Sequence, residues 1–268
     1  MSAAPIFILC TARSGSTLLR YILDTHPDVF APAEMHLGRL CHVLERVFLG
    51  IAGPDAPGVA ADIRRHVDAI MDNHTRRHNK QVWCEKSVRT VDYLEIVHRL
   101  YPEARYICLY RSCLDVVRSS LEVSAYGFDG YGFDEYVRAS VGNTVDALID
   151  YWHDKVSVIR NFELAHPAQS VAVTYEALVL DTERTVSALF DFLQLRWTPE
   201  LTAAIFSTPH VRGPGDGKIL HDTAIAPRVG GGASIPLARI SADRLRTMND
   251  LMRELGYPAV VASSTESL

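Results

Sequence analysis

An α/β fold, with a parallel sheet flanked by helices on both faces, follows from three observations. Short runs bearing Val, Ile and Tyr alternate with longer stretches of helical period. No linker-like break, internal repeat or low-complexity tract divides the 268 residues, so 1–268 is read as a single domain with length enough for a sizeable core. Finally, the first apolar run passes into a helical pattern through the small, polar, Gly-containing stretch "TARSGSTLL". That is the layout of a phosphate-binding strand–loop–helix, which makes the sheet P-loop-like.

The elements follow in chain order. Ile6–Cys10 is an unbroken apolar run of strand length, and Ser16–Asp24 repeats apolar residues at helical spacing. Ala60–His78 is the next long helical pattern, followed by a strand at Gln81–Cys84 and a helix at Val91–Leu100. Arg105–Tyr110, rich in Tyr and Ile, reads as a strand. Leu114–Val123 and Phe133–Ala165 have helical period, Ser170–Thr174 is the fourth strand and Thr182–Leu193 the helix after it. A last helical end lies near "MRELGYP". Strands joined by helical crossovers run parallel, with the helices packed on the sheet. Two loops stand apart. Tyr126–Phe133, "YGFDGYGF", sets three glycines among aromatics, and Ser207–Pro236 runs for about thirty residues with little periodicity. Loops of that length in a compact domain are functional lids or disordered segments. Ala262–Leu268 is polar and reads as a frayed end.

Bulk properties exclude several classes. The balance of 27 basic against 32 acidic residues, net −5, argues against a nucleic-acid partner while leaving room for a local basic pocket. Five scattered cysteines without CxxC spacing read as reduced thiols, consistent with cytoplasm. No signal segment is evident, and nothing approaches the ~20 apolar residues of a membrane span.

The chemistry concentrates where strands end. The first loop offers Arg13, Ser14, Gly15, Ser16 and Thr17: Arg13 supplies a permanent forked charge, Ser16 and Thr17 add hydroxyl donors, and Gly15 admits close approach of a ligand. The lysine of a Walker A loop is missing, and the glycine spacing fails the dinucleotide fingerprint. The same residues also suit a plain βα turn with a helix cap. A second strand–turn–helix, "ARYICLYRSCLDVVRSSLE", puts Arg111 at a strand end and Ser119 eight residues later. Ligands of open parallel sheets bind at the carboxyl ends of the strands, so Arg13 and Arg111 can hold two anionic groups there. A capping arginine and a solvated serine are the plainer readings. "QVWCEKSV" ends a third strand in Glu85, Lys86 and Ser87, and "DVFAPAEMHLGRL" carries Glu34 and His36.

Taken together, these segments resemble the sulfotransferases that use 3′-phosphoadenosine 5′-phosphosulfate (PAPS), from Ile6 to about Val229. "RSGSTLL" resembles that family's 5′-phosphosulfate loop and "YRSCLDVVRSSLE" its 3′-phosphate motif. "VTYEALV" resembles the later strand–turn, where Tyr175 lies near the co-substrate. "THPDVFAPAEMHL" and "CEKS" are similar to the branch with tyrosylprotein sulfotransferases and polyketide-synthase sulfotransferase domains. The resemblance implies Glu34, 21 residues after Arg13, as catalytic base, because no histidine follows the Gln81–Cys84 strand as it does in the steroid and phenol enzymes. It implies Lys86 as the group that stabilises the leaving oxygen, and a basic residue of the late loop, Lys218 or Arg228, on the co-substrate. "GGGAS" in that loop has no counterpart. His36 is a second candidate base or an acceptor contact, and His221 a further candidate. No metal is required by this scheme. The implied acceptor is a hydroxylated small molecule, natural product or carrier-protein-bound acyl chain, its pocket shaped by the two loops and by Tyr126, Phe128, Tyr131 and Phe133. An ATP-dependent P-loop kinase and a non-catalytic nucleotide-binding module are the competing readings.

Overall fold

Five strands form one parallel sheet in the order β2-β3-β1-β4-β5. They are β1 (Ile6–Cys10), β2 (Val29–Phe30), β3 (Val82–Glu85), β4 (Arg105–Tyr110) and β5 (Ser170–Thr174). The protein is described here from a computed structural model, which describes residues 4–53, 56–123, 131–140, 142–213 and 219–261. All five residues of β1 are buried, as expected of a central strand covered on both faces. Its residues Ile6 to Cys10 pair with Arg105 to Leu109 of β4.

Around the sheet run α1 (Ser16–Thr25), α2 (Leu37–Ala52), α3 (Val59–Arg77), α4 (Leu94–Leu100), α5 (Cys113–Val123) and α6 (Asp134–Ala139). They are followed by α7 (Thr144–Ala165), α8 (Tyr175–Leu180), α9 (Thr182–Leu193), α10 (Pro199–Ala204) and α11 (Ala242–Glu254). Three of the four expected strands fall where the sequence puts them, and the second is displaced by one residue. The two-residue β2 is too short to leave a periodic signal. Helix α2 also goes unseen in the sequence: Leu37, Gly38 and Cys41 are its only buried residues, while Val43, Val47 and Ile51 face solvent and blur the apolar stripe. The expected Phe133–Ala165 helix is two helices. Gly142 at φ +109° breaks it, and Asn143 restarts the chain by accepting from the Asp146 amide at 3.2 Å. The Val91–Leu100 stretch begins as a 3₁₀ turn, Val88–Tyr93, before α4.

The topology determines where a ligand can sit. After β1 the chain moves to one side of it for β2 and β3, then crosses to the other side for β4 and β5. The crevice at the carboxyl end of β1 is therefore a topological switch point. All five cysteines are buried and unpaired. Among the described residues no helix is long and apolar enough to cross a membrane.

Candidate active site

Four strands deliver a candidate side chain to this crevice within three residues of their ends: Arg13 after β1, Lys86 after β3, Arg111 after β4 and Tyr175 after β5. A cavity of about 660 Å³ opens there, within the range that holds a nucleotide-sized ligand.

The β1–α1 loop is a left-handed turn. Arg13 sits at φ +64° and Gly15 at φ +92°. Gly15 has no substitute, since a Cβ there would lie 2.3 Å from Cδ2 of Tyr175 in addition to the backbone strain. Gly15, Ser16 and Thr17 line the cavity as α1 begins. Ser14 is fully buried, off the cavity wall, and its hydroxyl donates to the Thr11 carbonyl at 2.7 Å. What remains to Ser14 is its main chain.

The β4–α5 segment is joined to that loop directly. Arg13 Nε donates to Ser119 Oγ at 3.1 Å, and an Arg111 Nη donates to the Arg13 carbonyl at 2.8 Å. The other Arg111 Nη donates to the Arg228 carbonyl, and the guanidinium stands over the Tyr175 ring, 4.1 Å from its centroid. Arg111 Nε is buried without a partner, an orphaned donor of the kind an anion would satisfy. Burial pulls the Arg13 guanidinium below its ordinary range, and the charges of Arg111 and Arg228 add to the shift while Tyr131 and Glu122 oppose it. Positive charge is thus concentrated where the sequence expects phosphate.

The late loop closes over this end. Arg228 lines the cavity with its guanidinium on both carboxylate oxygens of Asp222, at 2.7 and 3.0 Å, and its amide donates to Tyr175 Oη at 3.3 Å. Lys218 lies outside the described residues. Of the "GGGAS" stretch, Gly230 and Gly232 donate their amides to the two oxygens of Asp115 at 2.8 and 2.6 Å, and Arg118 donates to the Gly231 carbonyl at 3.1 Å. Gly232 lies so close to α5 that a Cβ would come within 2.5 Å of the Leu114 backbone. The sequence reading missed Asp115 and Arg118. Their signal is a spacing of three residues on α5, which sets Asp115 and Arg118 on one face of the helix that follows Arg111.

Between the loop and β3 lies the pair that the resemblance implies. Lys86 Nζ donates to Glu34 Oε1 at 2.5 Å, with the lysine almost fully buried. Two residues of β3 and its exit hold the Glu34-bearing turn from beneath. Ser87 Oγ accepts from the His36 amide at 2.9 Å, and Glu85 Oε1 accepts from the Leu37 amide at 3.4 Å and from Thr90 Oγ1 at 3.3 Å. Burial, with the Glu34 charge adding to it, lifts the Glu85 carboxyl to about 7, against hydrogen bonds and the Lys86 charge that lower it. Sequence reasoning treats Glu85 as a loop-end carboxylate; the structure makes it a fully buried support.

His36 is exposed on the cavity wall, in a left-handed conformation at φ +55° ahead of α2. Tyr131 lines the cavity and stacks on Phe133 at 5.5 Å, but Phe133 is itself buried against Tyr151 and shapes no pocket. Tyr126 and Phe128 lie outside the described residues. His221 is exposed and off the cavity wall. Among the described residues no group of three or more His, Cys, Asp or Glu side chains is placed to hold a metal ion.

Residues 5–199 match the model of the Sulfotransferase family. The chain belongs to that family. The chain is 26% identical over 208 residues to a putative protein-tyrosine sulfotransferase of Caenorhabditis briggsae, covering 73% of this chain and 67% of the worm protein. It spans only 26% of the length of an uncharacterized Aquifex aeolicus relative, at 23% identity over 73% of this chain. Two solved structures share its fold over 96% of the chain. One is the sulfotransferase domain of the Synechococcus PCC 7002 olefin synthase, at TM-score 0.68, 23% identity and 96% of that chain. The other is a sulfotransferase domain from the curacin biosynthetic pathway, at TM-score 0.66, 20% identity and 99% of that chain. A mouse sulfotransferase, SULT7A1, solved in complex with PAP, aligns at TM-score 0.51 and 14% identity over 97% of this chain and 86% of its own.

Proposed function

We propose that this sulfotransferase moves the sulfuryl group of PAPS to a hydroxyl of a small-molecule, natural-product or carrier-bound acyl acceptor, releasing 3′,5′-ADP (PAP). The observation that carries the reading is the Glu34–Lys86 contact at 2.5 Å, facing the same cavity as Arg13 and Arg111. A base for the incoming oxygen and a cation for the departing one are then adjacent.

In this reading the acceptor oxygen attacks sulfur in line, and its proton passes to Glu34, with His36 the second candidate on the wall. As the new O–S bond forms, the bond between sulfur and the 5′-phosphate oxygen breaks. Its electron pair remains on that oxygen, where Lys86 offsets the charge. Arg13 with Gly15, Ser16, Thr17 and the Ser14 main chain would hold the 5′-phosphosulfate. Arg111 and Ser119 would hold the 3′-phosphate, with Tyr175 and Arg228 packed beside it. The orphaned Arg111 Nε fits such a ligand. The protein's work is positioning and electrostatic stabilisation, as in other transfers of this type.

The neighbours from an olefin synthase and the curacin pathway favour a carrier-bound acyl acceptor, and five unpaired buried cysteines favour a reducing compartment such as the cytoplasm. The test is a thermal-shift comparison followed by turnover with labelled PAPS. PAP is expected to raise the melting temperature more than Mg-ATP, and label is expected on a hydroxylated acceptor. Stronger stabilisation by Mg-ATP would transfer the reading to phosphoryl transfer.

A further inference from the structure

We propose that the acceptor carries an anionic group of its own and that Arg39 receives it. This inference rests on the sulfuryl-transfer reading and specifies its substrate class. Seven lysine or arginine side chains line the cavity. Six of them bond to a protein acceptor: Arg13 to Ser119, Lys86 to Glu34, Arg89 to Asp92, Arg111 to two carbonyls, Arg118 to Glu122 and Arg228 to Asp222. Arg39 is the seventh, and among the described residues no protein group accepts from it.

Its position assigns it to the acceptor rather than to the nucleotide. Arg39 stands in the first turn of α2, five residues after Glu34 and three after His36. The nucleotide contacts come instead from the β1–α1 loop, α5 and the late loop. Helix α2 packs on the 3₁₀ turn that contributes Val88 and Arg89 to the same wall. The first turn of α2 contains no acidic residue, and the helix dipole disfavours a cation at that end.

The rest of the lining defines the remainder of the ligand. Leu18 and Val88 face the cavity away from the late loop, which suits an apolar segment in the acceptor. An anionic acceptor must also approach the phosphates of PAPS, and an exposed guanidinium on the cavity wall, without an acceptor among the described residues, is the charge that permits this. The structure therefore assigns a hydroxylated, partly apolar, anionic acceptor. Its charge is either the carboxylate of a free hydroxy acid or the phosphodiester of a carrier arm.

The experiment measures binding of three probes by calorimetry to the protein saturated with PAP. The probes are 3-hydroxydecanoate, its methyl ester and the 3-hydroxydecanoyl thioester of phosphopantetheine. At least one anionic probe is expected to bind about tenfold tighter than the ester, the size of one charge-assisted hydrogen bond. Whichever arm gains identifies the source of the charge. Arg39→Ala is expected to erase the difference and Arg39→Lys to restore part of it, with PAP affinity unchanged in both. The proposal is overturned if neither anionic probe binds, if ester and anions bind alike, or if the preference survives Arg39→Ala. A wild-type protein that binds no PAP would overturn the sulfuryl-transfer reading instead.

Discussion

The two ends of the cavity are built differently. At the end proposed for the nucleotide the protein bonds to itself: Arg13 to Ser119, Arg111 to the carbonyls of Arg13 and Arg228, and Asp115 to the amides of Gly230 and Gly232. Three segments distant in sequence are thereby fixed before any ligand arrives. At the acceptor end His36 and Arg39 are exposed and make no such side-chain bonds among the described residues. A site preorganised at one end and open at the other suits an invariant co-substrate beside a variable partner, because preorganisation reduces the ordering cost only for a ligand of fixed shape.

The pair between the two ends provides the largest test. Lys86→Ala is expected to lower turnover with PAPS by at least about 10³-fold, and Glu34→Ala by about 10²- to 10⁴-fold, the ranges for loss of a charge-stabilising group and of a general base. PAP affinity should fall far less than turnover in both, since Arg13, Arg111 and Ser119 make no bond to this pair and Lys86 meets PAP at a single 5′-phosphate oxygen in this reading. Calorimetry with PAP beside a labelled-PAPS assay checks the split. Near-normal turnover of the Glu34 variant would move the base to His36, and loss of PAP binding with turnover would mean that the two ends are one unit.

A second test asks what holds the acceptor end in place. Glu85 is fully buried, and its carboxyl titrates near 7 against an ordinary 4.5. A carboxyl with a raised folded value stabilises the fold while protonated. Its contribution is complete below about pH 4.5 and is lost as the pH climbs through 7. The difference is of order 3 kcal/mol at most, taking 1.36 kcal/mol per unit. Glu85→Gln keeps a carbonyl for the Leu37 amide and the Thr90 hydroxyl and cannot ionise. Its melting temperature is expected to match the wild type near pH 5 and to exceed it at pH 8. Parallel melting curves across that range would show that Glu85 does not titrate there.

How much of this was legible in the sequence follows the same division. Arg13, Gly15, Arg111, Ser119 and Tyr175 are found at one sheet edge because each lies within a contiguous strand–turn–helix whose apolar run announces it. Lys86 and Glu34 were legible as residues, although β3 and the short β2 that bring them together were displaced by a residue or unseen. Helix α2 left no clean period because Val43, Val47 and Ile51 face outward, and with it the acceptor wall at Arg39 was invisible. Ser14 shows what a motif position leaves open, since local turn geometry directs its hydroxyl onto the Thr11 carbonyl and only its main chain remains for a ligand. "GGGAS" had no counterpart because its role is long-range: the amides of Gly230 and Gly232 meet Asp115 across more than a hundred residues. No local pattern encodes such a contact.

That contact gives the finest test of the preorganised end. Arg111→Ala removes a guanidinium bound to two carbonyls and should weaken PAP binding by about 2 kcal/mol, in the range of charge-assisted hydrogen bonds. Asp115→Asn touches no ligand in this reading, yet it should weaken PAP binding about fivefold, roughly 1 kcal/mol. An amide presents an N–H₂ donor where one backbone donor now finds an acceptor, so the Gly230–Gly232 segment loses one of its two anchors. The loop carrying Arg228 must then be ordered during binding rather than beforehand, and that ordering opposes affinity. Calorimetry separates this from a lost contact: the Asn variant should show a more unfavourable binding entropy, with acceptor affinity unchanged. If Asp115→Asn leaves PAP binding intact, the late loop is held by Arg111, Arg118 and Tyr175, and the nucleotide end owes its order to those side chains rather than to the glycine latch.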